Sequence, residues 1–239
     1  MAGKDMTATL NTNEQIQMTA KDWSSLPADA SPLHDYDCSQ NPNKTTCQPQ
    51  SSPHDRGLQL MLVSPADPCR KDAEAFINHG YKIHFDAQLQ EFSPIILMVK
   101  DWKNNRIMGA VGLRYADDYK LFSEQYLSQP IDAMMSSQEP VEISRHEIIE
   151  LGHFVVDQNE DVNTVIPMVA SFLKSLDVKW AVYTLSRPIK VAFQRLGIQL
   201  THLQHAHPNA LLNGRSDWGR YYDFKPAVYY SNILTNMNS

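Results

Sequence analysis

The spacing of apolar residues becomes regular at Leu58. From Leu58 to Val63 they read as a strand, stopped by Ser64-Pro65. Asp67-Pro68 suits a helix start, and Ala73, Phe76, Ile77, Gly80, Ile83 and Ala87 recur at helical spacing to about Leu89. Pro94 to Asp101 reads as a buried strand, Lys103-Asn104-Asn105 as a hairpin turn, and Arg106 to Arg114 as the returning strand. Tyr119 to Ser137 predicts one or two short helices split at Pro130, and the run from about His146 to Asp157 predicts a central strand. Val165, Val169, Phe172, Leu173 and Leu176 form a helical stripe over Val162 to Leu176, and Trp180 to Leu185 is rich in β-formers. Arg187 to Leu196 reads as a short helix, with Pro188 in its first turn and Gly197 just past its end. Ile198 to Leu203 and Ala227 to Ile233 predict the closing strands, separated by a polar excursion that ends in Asp217 to Tyr222.

The order β-α-β-β-(α)-β-α-β-α-β-β predicts an α/β (α+β) domain built on one mixed sheet with helices on both faces. It is the element order of a GNAT-like acyltransferase fold, and that domain is expected over residues 57–239. Residues 1–56 differ. They are rich in Ser, Thr, Asn, Gln, Asp and Pro, hold five prolines between Pro27 and Pro53, and lack sustained periodicity. A disordered or loosely attached polar tail is expected there.

The 239 residues carry Lys plus Arg 21 against Asp plus Glu 27, a net charge of −6 that gives no reason to expect nucleic acid as a partner. The first 30 residues lack a basic patch followed by an apolar run, and the purely apolar stretch Ile95 to Val99 is too short for a membrane span. Cys38, Cys47 and Cys69 form no close pair, which fits free thiols in a reducing compartment, a Cys38–Cys47 bridge in the tail being the alternative. A cytoplasmic protein is therefore expected. No Cys/His spacing resembles a metal site, so no metal is expected.

The chemistry centres on Glu150, a carboxylate in the middle of an apolar strand. Such groups are rarely buried without a partner or a task. Alternation puts Ile148, Glu150, Gly152, Phe154 and Val156 on one face and Ile149, Leu151, His153, Val155 and Asp157 on the other. Glu150 and His153 then face opposite ways unless a bulge at Gly152 re-aims one of them. Glu150 reads as a base for an attacking amine, or as one half of an ion pair with Arg114 on the neighbouring strand. His153 reads as a second catalytic group or a packed histidine. Arg114 itself suits a forked contact to a substrate carboxylate or phosphate. Arg145, before the central strand, reads as a substrate contact or a surface salt bridge. Glu124 and Tyr126 lie in the short helical block, where Tyr126 is a candidate acid or an aromatic anchor. Trp218 to Tyr222 read as a lid over an acyl chain or a loop pinned to the core.

The chain resembles the thermostable haemolysin family over about residues 70–232. The matching segments are Gly109 to Arg114, Leu121 to Leu127, Pro130-Ile131, Arg145 to Gly152, Trp180 to Thr184, Phe193 to Ile198 and Trp218 to Tyr222. More distantly it resembles acyl-homoserine-lactone (autoinducer) synthases, at Gly112-Leu113-Arg114, at Glu150 with Phe154, and at Arg195-Leu196-Gly197. Those synthases typically follow the acidic residue with Ser-Arg, and the haemolysin-like family usually has Gly-Asn-Leu-Ala where this chain has Gly152 to Val155. His153 departs from both.

The resemblance implies an N-acyltransferase moving an acyl group from a thioester, on an acyl-carrier protein or acyl-CoA, to a small amine, with no tightly bound cofactor. Glu150, His153 and Tyr126 are the expected catalytic residues, and Arg114, Glu124, Arg145, Phe154, Tyr183, Arg187, Arg195 and Trp218 the expected substrate contacts. A coenzyme-A cradle after the central strand is normally Gly-rich. Here Asp157 to Asn163 contains no Gly and three acids, which disfavours a pyrophosphate and points to no acyl donor at all or to a carrier-protein donor. Lys174, Lys179, Arg187, Lys190 and Arg195 would then supply its basic landing patch. The family name also implies lysis through membrane contact. A non-catalytic, ligand-binding GNAT-like domain is the remaining alternative.

Overall fold

The computed structural model describes residues 57–157, 162–211 and 216–235. The tail expected over residues 1–56, with Cys38 and Cys47, lies outside the described residues, as do residues 158–161 of the acidic loop. Seven strands form one sheet: β1 (Leu58–Val63), β2 (Ile95–Asp101), β3 (Arg106–Tyr115), β4 (Ile148–Val156), β5 (Trp180–Leu185), β6 (Thr201–His205) and β7 (Ala227–Asn232). Their order is β1-β2-β3-β4-β5-β7-β6. Every neighbouring pair is antiparallel except β4 and β5, which run parallel. Helices α1 (Arg70–Phe85), α2 (Ile131–Ser136), α3 (Val162–Lys174) and α4 (Arg187–Arg195) complete the GNAT-like arrangement expected from the element order.

Each face of the sheet carries its own core. Alternate residues of β4 and β5 separate cleanly: Ile148, Trp180 and Val182 pack with α1 and α2, whereas Ile149, Leu151, Ala181 and Tyr183 pack with α3 and α4. Strands apolar on both faces are what a sheet covered by helices on each side requires. The β2–β3 hairpin turns where expected. The Asp101 carboxylate accepts the N–H groups of Lys103 and Asn104 at 3.0 and 3.2 Å, and Asn105 takes φ 49.

Two boundaries differ from the sequence pattern by three residues or more. The first helix ends at Phe85 rather than near Leu89, because Asp86 adopts a left-handed φ of 52. Ala87 and Leu89 are still buried, but from extended chain that Asn78 clasps by accepting the Leu89 N–H and donating to its carbonyl, at 2.8 and 3.2 Å. They continue the apolar spacing without continuing the helix. The penultimate strand of the sequence is Thr201–His205 rather than Ile198 to Leu203. Gly197, at φ 77, turns the chain so that the Ile198 N–H donates to the Phe193 carbonyl at 3.1 Å, which makes Ile198 part of the α4 cap.

Candidate active site

The parallel pairing of β4 with β5 runs from Ile148 opposite Trp180 to Leu151 opposite Tyr183 and stops there. Just beyond, β4 bulges. Gly112 faces Gly152 and Ala110 faces Val155, so two steps along β3 span three along β4. His153 occupies the extra position with φ 52, a conformation costly to most side chains but more accessible to histidine than to β-branched residues. The bulge resets the alternation. Glu150, Gly152 and His153 now line one cavity on the α1 side, while Phe154 and Val156 join the core on the α3–α4 side.

That outcome settles the question the alternation left open. The bulge brings His153 to Glu150, and it sends Phe154 away from both. The Phe154 ring meets Phe193 edge-on at 6.0 Å, on the opposite face of the sheet. Tyr183 also points to that face. Its hydroxyl lies 3.1 Å from Ser231 Oγ, and burial raises its pKa to about 12. Neither residue lines the cavity where substrate contacts were expected.

Glu150 is 5% exposed. The expected pair with Arg114 is present but long, at 3.8 Å. The main chain holds the carboxylate more closely: the Phe122 N–H donates to Oε2 at 2.8 Å and the Ser123 N–H to Oε1 at 2.7 Å. A carboxylate offers about four acceptor directions, so capacity for a further donor remains. Across the cavity, Thr184 Oγ1 is buried and has no hydrogen-bond partner among the described residues; Ser123 Oγ is in the same condition. Buried hydroxyls without partners are uncommon and mark a place for a water or a ligand atom.

His153 is enclosed by rings. Trp218 stacks on it at 6.4 Å and 18°, Phe92 lies at 5.7 Å and Tyr81 at 6.3 Å. Its Nδ1 sits 3.3 Å from Ser93 Oγ. Gly112 makes that contact possible, because a Cβ there would lie 2.4 Å from Ser93 Oγ and 3.0 Å from Nδ1. Burial, then the charges of Arg114 and Arg70, lower the His153 pKa to about 4, so the ring is neutral at pH 7.

Unfolded histidine titrates near 6.5. Between that value and about 4 the unfolded chain binds the proton and the folded one does not. This contribution to stability is full above pH 6.5 and is lost as pH falls toward 4. His153→Asn, which tolerates the positive φ, is expected to lose about 1–2 kcal/mol less stability than wild type between pH 7 and pH 5. Urea denaturation midpoints at the two pH values test this; equal losses in both proteins would remove His153 from the acid response.

Tyr126 stands on the wall opposite β4, and its hydroxyl lies 2.7 Å from that of Tyr222. Burial, followed by the neighbouring Tyr222, holds this phenol well above its ordinary pKa, so it stays protonated. Trp218 closes the cavity, with ring centroids 5.3 Å from both Phe122 and Tyr221. Gly219 positions it. At φ 49, a Cβ on Gly219 would come within 2.4 Å of the carbonyl oxygens of Phe85 and Asp86. The enclosed space is only about 30 Å³, enough for roughly one water.

Glu124 and Arg145 stand behind this wall rather than in the cavity. Arg145 donates to the carbonyls of Ala116 at 2.8 Å and Tyr119 at 3.1 Å, to Asp132 at 3.2 Å, and to both oxygens of Glu124 at 2.7 and 3.3 Å. A guanidinium has five N–H donors, and all five are used. Arg145 has none left for a substrate, and it is more than a surface salt bridge. Glu124 also accepts the N–H groups of Leu121 and Ile131. Burial pushes the Glu124 pKa up, but Arg145 and these N–H groups outweigh it and hold the carboxyl below its usual range.

The cavity therefore gathers Glu150, His153, Tyr126 and Trp218, with Arg114 against Glu150. Arg187 and Arg195 lie in a separate open groove of about 580 Å³, together with Lys225 and Phe224. Sequence reasoning missed Ser93, Ser123 and Thr184. Ser123 and Thr184 lie inside segments that carry the family resemblance, and Ser93 just before a predicted strand, but nothing local distinguishes them from other hydroxyl residues.

Residues 63–237 match the model of the family described as thermostable hemolysin. No curated protein matches the chain. Among solved structures, FeeM, an N-acyl amino acid synthase from uncultured soil microbes, is similar at 13% identity and TM-score 0.49, over 74% of this chain and 92% of that one. The AHL synthase LasI is similar at 9% identity and TM-score 0.45, over 74% and 90%. The CoA-dependent acyl-homoserine lactone synthase MesI is similar at 16% identity and TM-score 0.44, over 74% and 90%.

Proposed function

We propose that this chain, which belongs to the thermostable haemolysin family, transfers an acyl group from a thioester to a small amine where β4 parts from β5. The observation that carries this reading is the end of the parallel pairing at Leu151 and Tyr183. Around that point the β4 bulge, the buried Glu150 carboxylate and the Thr184 hydroxyl, unpartnered among the described residues, come together at one cavity. The β5-facing edge of β4 beyond Leu151 has no strand partner among the described residues, so its peptide groups are open to the amides of an extended thioester arm.

In the reaction the amine nitrogen attacks the thioester carbonyl, a C–N bond forms, and the C–S bond breaks. Glu150 draws the ammonium form of the acceptor into the cavity and takes its proton on the unfilled acceptor directions of its carboxylate. The second nitrogen proton reaches the departing thiolate through Tyr126, which gives its hydroxyl proton to sulfur as it takes the one from nitrogen and so ends protonated. Thr184 Oγ1 hydrogen-bonds the acceptor, and His153 with Trp218 excludes water. Holding both reactants in one orientation supplies much of the rate in a direct transfer.

A second reading, a non-catalytic ligand-binding domain, is favoured by the small volume of the cavity and its closure by Trp218 and Phe122. No helix among the described residues is long and apolar enough to cross a membrane.

The deciding experiment offers the purified protein a panel of acyl-CoA and acyl-carrier donors with pooled amines and measures products by mass spectrometry. An acyl-amine product is expected with wild type and at least about 100-fold less with Glu150→Gln. Absence of product with every donor, from folded protein, would favour the ligand-binding reading instead.

A further inference from the structure

The groove beside α4 has no role in the chemistry above, yet it shares two walls with the cavity. Thr184 lines the cavity, and Arg187, just past the end of β5, lines the groove. Tyr221 lines the cavity, and Asp223 and Phe224 of the same turn line the groove. The groove is open, holds about 580 Å³, and has Pro188, Val191 and Phe224 as apolar surface. Three cations surround it: Arg187, Arg195 and Lys225. All three are exposed, and none makes an ion pair among the described residues. The groove's acid, Asp223, lies 3.4 Å from Arg220.

The first turn of α4, which follows Ser186 without a side-chain cap, adds the positive end of a nine-residue helix. Lys225 contributes from the opposite wall, held there by a left-handed φ of 48. A concentration of positive charge on a chain of net −6 is a local feature, not a reflection of composition. By contrast, the loop that follows β4 carries Asp157, Glu160 and Asp161 and no glycine, a poor environment for a phosphate.

We infer that the groove of Arg187, Arg195 and Lys225 binds the phosphate end of the thioester donor, with the pantetheine arm passing over the Thr184–Arg187 and Tyr221–Phe224 turns toward the cavity. This rests on the acyl-transfer reading. The shared chemistry is a phosphate ester on a pantetheine arm, as carried by coenzyme A or by an acyl-carrier protein. The apolar surface of Val191 and Phe224 suits the less polar body next to that phosphate, and paired guanidinium and ammonium groups suit its oxygens.

The test is calorimetry on the full chain with coenzyme A and with pantetheine, which lacks the phosphates. Wild type is expected to bind coenzyme A about tenfold tighter than pantetheine. The Arg195→Gln/Lys225→Gln double variant should bind coenzyme A no better than wild type binds pantetheine. Lys71→Gln, an exposed lysine on α1 outside the groove, should bind coenzyme A as wild type does. Circular dichroism and melting confirm that the double variant is folded. A phosphopantetheinylated carrier protein that outbinds its unmodified form, with that advantage lost in the double variant, would identify the carrier as the source.

Coenzyme A and carrier affinities unchanged by the double variant would overturn the inference. If acyl-amine product still formed in that case, the transfer reading would stand without the groove. Groove-dependent binding of coenzyme A with no product from any donor would keep the phosphate site and remove the transfer reading.

Discussion

Glu150→Ala is expected to cost about 3–5 kcal/mol of stability, and Glu150→Gln about 2. The carboxylate is 5% exposed and accepts main-chain N–H groups from both Phe122 and Ser123. Alanine strands both donors and leaves Arg114 beside an empty space that held its 3.8 Å counter-charge. Glutamine keeps one oxygen but presents its own N–H₂ to the second donor. Urea denaturation followed by circular dichroism measures both variants. The same substitutions separate two roles for Glu150. If it accepts the amine proton, Glu150→Gln loses turnover at least about 100-fold while KM for the thioester changes little. If it acts only by holding the Phe122–Gln125 turn against β4, turnover should track the loss of structure and recover with conditions that restore the fold. Stability equal to wild type in Glu150→Ala would contradict the geometry itself.

Much of the fold was readable because its strands are apolar on both faces and its helices are punctuated. Pro188 and Gly197 bracket α4 as the sequence predicts, and the Lys103-Asn104-Asn105 turn forms where expected. The site was less readable for a specific reason. Two-residue periodicity assigns faces only while no residue is inserted, and the single insertion in β4 falls at His153, in the middle of the chemistry. One extra residue moved His153 toward Glu150 and Phe154 to the other core, so half of the expected arrangement inverted. Residue type alone gave little warning, since histidine is among the side chains that tolerate a left-handed backbone. The partners of Glu150 were hidden for a different reason. They are peptide N–H groups 27 and 28 residues away, and main-chain donors have no sequence identity. Arg114 was the visible candidate because it is charged, although it turned out to be the more distant partner.

Arg145 shows the same effect at larger scale, and its removal should rank with the loss of Glu150. Its five donors fasten the Ala116–Asp132 excursion to the start of β4, reaching carbonyls 26 and 29 residues away in sequence. That excursion includes Phe122 and Tyr126, which form the wall opposite His153. Arg145→Ala leaves the Glu124 carboxylate, whose side chain is 7% exposed, without its cation. The expected loss is about 2–4 kcal/mol, moderated because Glu124 keeps the N–H groups of Leu121 and Ile131. Arg145→Lys retains the charge but has three donors on a single nitrogen and cannot span the acceptors on both sides, so about half of that loss should remain. Chemical denaturation orders the three proteins, and acrylamide quenching in a background with Trp23, Trp102 and Trp180 replaced by Phe reports the wall through Trp218. Greater quenching in Arg145→Ala under native conditions is expected, because the turn that carries the Phe122 ring over Trp218 is fastened by this network as well as by Glu150. Unchanged quenching together with unchanged stability would show that the wall stands without Arg145.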